Sequence, residues 1–136
     1  MIRHIEARVL LICVILIFVL LGIHPRADRL TWFLENLPVM IAFPILIATY
    51  KQFPLTSLAY RLIVAHALIL MIGGYYTYAA VPLGDWVKEA FHLGRNHYDR
   101  VGHFAQGFVP AILAREILLR MSPLTRGKWL AFLAPL

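Results

Sequence analysis

Asp99 and His103 are the residues of this sequence whose types and spacing are best suited to chemistry. They lie in a polar stretch, GRNHYDRVGHFAQGF, inside a chain built mostly of Leu, Ile, Val and Ala. In a helix of 3.6 residues per turn, Asp99, His103 and Gln106 share one stripe, with Gly107 beside it. A carboxylate one turn from an imidazole can fix the ring tautomer and raise its basicity, or the two can share a metal ion. The pattern therefore predicts a general base or a site for a divalent metal ion.

Glu35 and His66 extend this candidate site, because ionisable groups inside apolar segments are functional candidates by default. Both residues can also be purely structural. Glu35 can be a carboxylate at the membrane interface, and His66 can form a hydrogen bond between helices. Arg95 and Arg100 are either interfacial anchors or contacts for a lipid phosphate, whose shape a guanidinium matches well. The predicted catalytic residues are Asp99, His103 and Glu35, the predicted metal ligands are His103, Asp99 and His66, and the predicted headgroup-binding residues are Arg95 and Arg100.

The start of a helix explains part of the same polarity without any function. Asn96 is a good N-cap, and Asp99 at the third helical position would favour the positive end of the helix dipole. Asp99 and His103 are therefore either a functional pair or a structural network that binds neighbouring loops. The tyrosines that follow Gly73 and Gly74 are in turn typical of an aromatic belt at a membrane interface.

The composition indicates a membrane protein. Of the 136 residues, 61% are hydrophobic and 15% are charged, and the mean hydropathy is +0.75. A soluble domain is usually about half apolar and about a quarter charged, so a soluble enzyme fold is excluded. The net charge is +6, but the thirteen Lys and Arg residues are scattered between apolar runs rather than gathered in a basic stripe, which excludes nucleic acid as a partner. The partner is the lipid bilayer, and an anionic lipid headgroup is its candidate ligand.

The apolar runs predict an all-α, polytopic transmembrane bundle that forms one integral membrane domain over residues 1–136. The sequence KWLAFLAPL begins another apolar segment and stops, which suggests a piece of a longer protein. The expected segments are spans at about 9–23, 30–50, 58–80 and 97–121, an interfacial helix at about 84–93, and a truncated fifth span from about 128.

The distribution of Lys and Arg favours a cytoplasmic amino terminus. With four spans, eight of these residues lie on the side of the amino terminus and five on the other side. The polar stretch and Glu35 then lie on the outer face. We expect the third and fourth spans to meet along two stripes, with Gly73 and Gly74 on one and Gly107 on the other allowing a close approach.

The segments GGYYTYAAVPLGDW and RNHYDRVGHFAQGFVPAILAREIL resemble the YjdF-like family of bacterial inner-membrane proteins, whose function is unassigned. The resemblance covers essentially the whole chain and implies that it corresponds to the amino-terminal two-thirds of a longer protein with further spans. It also implies a His and a Glu where this sequence has Tyr75 and Ala80. If those positions helped to bind a metal ion, their replacement weakens a metal site in this chain.

Three functions fit these residues. The first is a membrane-embedded, metal-assisted enzyme that acts on a lipid-borne group at the outer interface, with a general base and an arginine that holds the headgroup. The second is a proton-coupled carrier with His66 and His103 in an intramembrane relay. The third is a non-catalytic scaffold whose polar stripes only hold helices together. The substrate, the cofactor and the oligomeric state do not follow from the sequence.

Overall fold

The computed structural model describes residues 2–123 and residue 127, and every regular element in that part of the chain is helical. The expected fifth span, from about residue 128, lies outside the described residues. The elements are α1 (Ile2–Ile23), α2 (Arg29–Thr49), α3 (Ser57–Tyr76), a 3-10 turn (Tyr78–Ala80), α4 (Pro82–Ala90) and α5 (Tyr98–Met121).

Polar side chains set the starts of two of the long helices. Asp28 precedes α2, and its Oδ1 accepts hydrogen bonds from the backbone N–H groups of Leu30 and Thr31, at 3.1 and 3.0 Å. The pKa of the Asp28 carboxyl is held below its ordinary value, mainly by the hydrogen bond from the Thr31 hydroxyl and, to a lesser extent, by the one from the Thr31 N–H. Thr56 precedes α3 and accepts from the N–H of Ala59 at 3.2 Å. Both are N-caps that satisfy donors which the helix itself leaves unpaired.

Three helices of the described part are long and apolar enough to cross a membrane, at Ile5–Ile23, Arg29–Thr49 and Ser57–Tyr76. α5 carries more charged residues, but its 24 residues extend about 36 Å, which is ample for a crossing. The all-α polytopic fold is therefore confirmed.

The third helix ends four residues before the predicted boundary at residue 80. Thr77 has a φ of 67° and a ψ of 139°, so the backbone leaves the helix there in a conformation that β-branched residues rarely adopt. The chain then folds back through the 3-10 turn into α4. Pro82 occupies the first turn of α4, where a missing N–H costs nothing.

α3 is the central helix and packs against α1, α2 and α5. Near its start, Arg61 donates to the Glu6 carboxylate of α1 at 2.6 Å. Beside its other end, the N–H of Ala27 donates to the carbonyl of Tyr75 at 2.9 Å. Long helices that follow one another in the chain are thus antiparallel, whereas α1 and α3 run parallel, and the bundle has two ends. We call the end with Glu6 and the α2–α3 connection proximal, and the end with the α1–α2 and α3–α5 connections distal.

α5 runs along α3 in the opposite direction over its whole length. Towards the distal end, the Tyr98 hydroxyl donates to the carbonyl of Ile69 at 3.1 Å. At the proximal end, the N–H and the hydroxyl of Thr56 donate to the Glu116 carboxylate at 2.9 and 2.8 Å. Both ends of α5 are therefore level with the ends of α3, so the two helices cross the same thickness of membrane.

The expected meeting of α3 and α5 along their polar stripes is wrong. α5 turns its small and apolar residues inward, whereas Asp99 is only partly covered and His103, Gln106 and Gly107 are exposed. A Cβ placed on Gly107 would meet no other atom within 4 Å. The inward side of α5 carries Gly102 and Ala105, and such small residues allow helices to pack closely. The buried residues of α5 are Tyr98, Gly102, Ala105 and Val109.

Candidate functional site

A cleft of about 360 Å³ opens at the distal end, between the 3-10 turn, α4 and the start of α5. It contains two basic and two acidic side chains, and Tyr78 is among its lining residues. We call it the distal cleft. Its lining residues are Tyr78, Ala79, Asp85, Lys88, Gly94, Arg95, Asn96 and Asp99.

Asn96 holds the walls of the distal cleft together. Its Nδ2 donates to the carbonyl of Val81 at 3.0 Å and to Oδ1 of Asp85 at 3.1 Å. Its Oδ1 accepts from the N–H of Tyr98 at 3.0 Å, so the side chain caps α5 from one residue before the formal cap position. A Cβ on buried Gly84 would collide with this amide, so α4 can approach Asn96 only because residue 84 is glycine.

The cations of the distal cleft differ in their partners. Arg95 lies 3.4 Å from Oδ2 of Asp99, in a pair with both side chains partly exposed, so this ion pair contributes little stability. The other oxygen of Asp99 accepts from the N–H of Arg100 at 2.8 Å. Lys88 is half-buried and forms no ion pair with a described residue. The cleft therefore offers an anion one ammonium group and the remaining donors of one guanidinium.

Tyr78 connects this cleft to the interior. Its ring lies between Gly73 of α3 and Gly102 of α5, where added Cβ atoms would come within 2.6 and 2.7 Å of ring carbons. The centroids of the Tyr78 and Tyr98 rings are 6.0 Å apart. The paired glycines therefore do permit a close approach, but Gly73 admits an aromatic ring rather than the predicted helix.

The Tyr78 hydroxyl is buried, and Glu35 is the charged group that acts on it. Burial, and secondly the negative charge of Glu35, raise the pKa of this hydroxyl well above its ordinary value of 10.0. Glu35 lies on α2, where its Cβ is 3.1 Å from a Cβ placed on Gly74. The phenol thus stays protonated beside a carboxylate.

Asn36 adds a third polar group at the same level. Its side chain is fully buried, and its Nδ2 lies against Gly74 and donates to the carbonyl of Trp32 at 2.8 Å. Its Oδ1 has no hydrogen-bond partner in the described part of the chain. Leaving a buried polar atom without a hydrogen bond lowers the stability of the folded state by about 1–3 kcal/mol, so such atoms are uncommon. We call Glu35, Asn36 and Tyr78 the polar layer.

The structure brings some of the sequence-predicted residues together. Arg95 and Asp99 line the distal cleft, and Glu35 lies beside Tyr78. His103 lies on the exposed side of α5, where its Nδ1 is 3.3 Å from Oε1 of Gln106.

The other predicted residues lie outside the cleft. Arg100 is exposed and does not line it, and His66 is half-buried in α3, its Nε2 without a hydrogen-bond partner among described residues. Within residues 2–123 and 127, no three His, Cys, Asp or Glu side chains are grouped so that they could hold a metal ion.

Sequence reasoning missed four residues of this region. Asn36 carried a signal, since it is a polar residue at the head of an apolar run, next to Glu35. Tyr78 was interpreted as part of an aromatic belt, and its contact with the glycines depends on the reversal of the chain at Thr77. Asp85 and Lys88 lie in the predicted interfacial helix, where charged residues need no function.

The comparisons with known proteins agree with this architecture. Residues 6–136 match the model of the family described as "Predicted membrane protein (DUF2238)". The inner membrane protein YjdF of Escherichia coli (strain K12) is 52% identical over 118 residues, which are 87% of this chain and 56% of that protein. The chain thus spans little more than half the length of this relative. No solved structure matches it.

The predicted resemblance is thereby confirmed, and with it a multi-pass location in the bacterial inner membrane. The chain belongs to the DUF2238 family of predicted membrane proteins.

Proposed function

We propose that the distal cleft binds the phosphate-bearing headgroup of a lipid and that the protein is a membrane-embedded enzyme acting on that group. One observation carries the proposal: a single cleft presents Lys88 and Arg95 at its walls and is lined by Tyr78, whose hydroxyl is buried beside Glu35. Binding groups and a group suited to chemistry therefore lie next to each other.

The two cations of the cleft suit a phosphate, and its two carboxylates have donors of their own, since Asp85 accepts from Asn96 and Asp99 accepts from the N–H of Arg100. A guanidinium has five N–H donors, and the contact of Arg95 with Asp99 at 3.4 Å leaves most of them free to bind phosphate oxygens. Asp99 orients Arg95 in this arrangement. Lys88 adds a point charge on the opposite wall, from α4. Arg100 would contribute only to the positive field outside the cleft.

The polar layer supplies the chemistry in this proposal. The Tyr78 phenol is a hydrogen-bond donor at neutral pH and can stabilise an oxygen that gains negative charge. Glu35, next to it, is the group that accepts a proton. A metal-assisted version needs ligands beyond Asp99, His103 and His66, since these do not form one group within the described residues.

The distal end faces outward in this proposal. The topology predicted from the sequence gives this side five Lys and Arg residues and the side of the amino terminus eight, and the richer side of an inner-membrane protein is cytoplasmic. The lipid-borne group would then be reached from the outer leaflet.

A proton-coupled carrier is the second candidate, and His66 favours it. Its Nε2 is buried in α3 without a hydrogen-bond partner in the described chain, as expected of a group that exchanges protons with a water file. Substrate-dependent proton flux into vesicles, abolished by His66→Ala, would support the carrier over the enzyme.

Binding of glycerol 1-phosphate, a headgroup without acyl chains, tests the proposal. The full-length protein in detergent should bind it saturably by calorimetry, and Lys88→Gln or Arg95→Gln should each weaken the affinity by roughly tenfold, the loss of one charge-assisted contact. Arg29→Gln removes an exposed distal cation outside the cleft and should leave the affinity unchanged. Equal binding by all four proteins, or none by the wild type, would refute the site.

Tyr78→Phe separates an enzyme from a mere binding protein or scaffold. In the enzyme this variant binds glycerol 1-phosphate normally but releases no phosphate from a phospholipid phosphomonoester in mixed micelles. An unchanged rate of release would remove Tyr78 from the chemistry.

A further inference from the structure

We propose that an anionic phospholipid occupies a second site, a crevice of about 810 Å³ at the proximal end. The crevice lies between the first half of α1 and the last half of α2, with α3 as its floor. We call it the proximal crevice. It is separate from the distal cleft, and neither site depends on the other.

The splay of α1 and α2 creates the crevice. Towards the distal end these helices meet, since the rings of Phe18 and Trp32 are 5.2 Å apart and Val14 and Val39 pack in one cluster. Towards the proximal end, α1 is held to α3 by the pair of Glu6 and Arg61, and no equivalent pair among the described residues ties it to α2. The gap between them is lined mainly by apolar side chains, among them Leu11, Phe43, Leu46 and Val64.

The charged residues of the proximal crevice indicate what kind of molecule binds there. Arg8 and Lys51 line the crevice from α1 and from the end of α2, both are exposed, and no acidic residue is among the described lining residues. Neither cation forms an ion pair with a described residue. The proximal crevice is thus apolar and carries two cations without an ion-pair partner, which fits a molecule with a hydrocarbon tail and an anionic head.

The level of these cations fits a phospholipid in particular. Lys51 lies two residues beyond the end of the α2 span, and Arg8 lies one turn inside the start of the α1 span, so both lie near the level of the lipid phosphates. The predicted topology also assigns the side rich in Lys and Arg to the side of the amino terminus, and anionic lipids and basic residues attract each other there. One acyl chain would fill the crevice, and the phosphate would bridge Arg8 and Lys51.

Native mass spectrometry of the full-length protein, extracted in a mild detergent with phosphatidylglycerol and phosphatidylethanolamine, tests this site. The wild type should retain one phosphatidylglycerol. Arg8→Gln/Lys51→Gln should lower the retained fraction by about twentyfold, since each basic residue near an anionic lipid is worth roughly fivefold in affinity. Arg26→Gln/Arg29→Gln, with the same change of net charge at the distal end, should retain the lipid.

A second variant keeps Arg8 and Lys51 and fills the proximal crevice with a side chain. Ala48→Trp places a large side chain in the crevice and should expel the lipid, whereas Ala114→Trp, on an exposed position of α5, should not. Equal retention of both lipids by all variants would overturn the proposal. So would cysteine cross-linking that places residues 124–136, or a second copy of the chain, against residue 48 in the wild type.

Discussion

The ring of Tyr78 occupies the space that a side chain on Gly102 would need, because a Cβ on that glycine would lie 2.7 Å from Cε1 of the ring. Gly73 is covered by the same ring from α3. A single aromatic residue, delivered by the reversal at Thr77, is therefore wedged between two helices. This relationship determines which face of α5 packs and brings the phenol hydroxyl towards Glu35.

Gly102→Ala should destabilise the protein by about 1–3 kcal/mol, because the added methyl group overpacks the contact with Tyr78. Gly107→Ala is the matched control on the same helix. It meets open space and should be neutral or stabilising, since alanine is the better helix former. Thermal unfolding in detergent measures both. A larger loss for Gly107→Ala would mean that α5 packs by its other face.

The contrast between these glycines shows what the sequence could and could not predict. Length and apolar composition located the helices, because crossing a bilayer imposes both. Gly102 and Gly107 are equally small, however, and α5 has polar and apolar residues on several sides, so no stripe is marked as the buried one. The choice depends on Tyr78, which reaches α5 only after the chain reverses at Thr77. The distal cleft depends on the same non-local folding.

Tyr78 should make the protein less stable at high pH. A phenol whose pKa is higher in the folded state keeps its proton there, whereas the unfolded chain loses it near pH 10. The stabilisation is thus complete below about pH 10 and is lost as the pH rises above that value. The free energy of unfolding, measured between pH 8 and 11 for wild type and Tyr78→Phe, should fall more steeply for the wild type. Parallel curves would contradict the burial of the hydroxyl.

Glu116→Gln should weaken the proximal end by roughly 1–3 kcal/mol. Glu116 accepts from Thr56 twice and from Arg120 at 3.0 Å, and hydrogen bonds to a charged group are the stronger ones. Arg120 in turn donates to the carbonyl of Pro54 at 2.7 Å, so the network ties α5 to the α2–α3 connection. Arg115→Gln, one residue away, should cost less. Equal losses in chemical unfolding would show that the network contributes no net stability.

Asn96→Ala and Gly84→Ala should damage the same contact and therefore show non-additive effects. The first removes three hydrogen bonds, and the second drives a methyl group into the amide that makes them. Each change should cost about 1–3 kcal/mol. In a double-mutant cycle the pair should cost clearly less than the sum, because the shortened side chain at position 96 leaves room for the methyl group at position 84. Strict additivity would indicate that α4 and Asn96 do not contact each other.

The exposed stripe of α5 should be covered by protein in full-length members of the family. His103 and Gln106 lie inside the helix that crosses beside α3, and polar groups facing hydrocarbon are costly. The E. coli relative extends well beyond the matched region, so it has chain available to cover them.

Spin labels at Gly107 and Phe104 in the full-length protein test this coverage in vesicles. Oxygen dissolved in the lipid should relax the label at 104, next to exposed Phe108, and should hardly reach the label at 107. Equal access to both would mean that this stripe faces lipid, and that His103 has no protein partner with which to form a site.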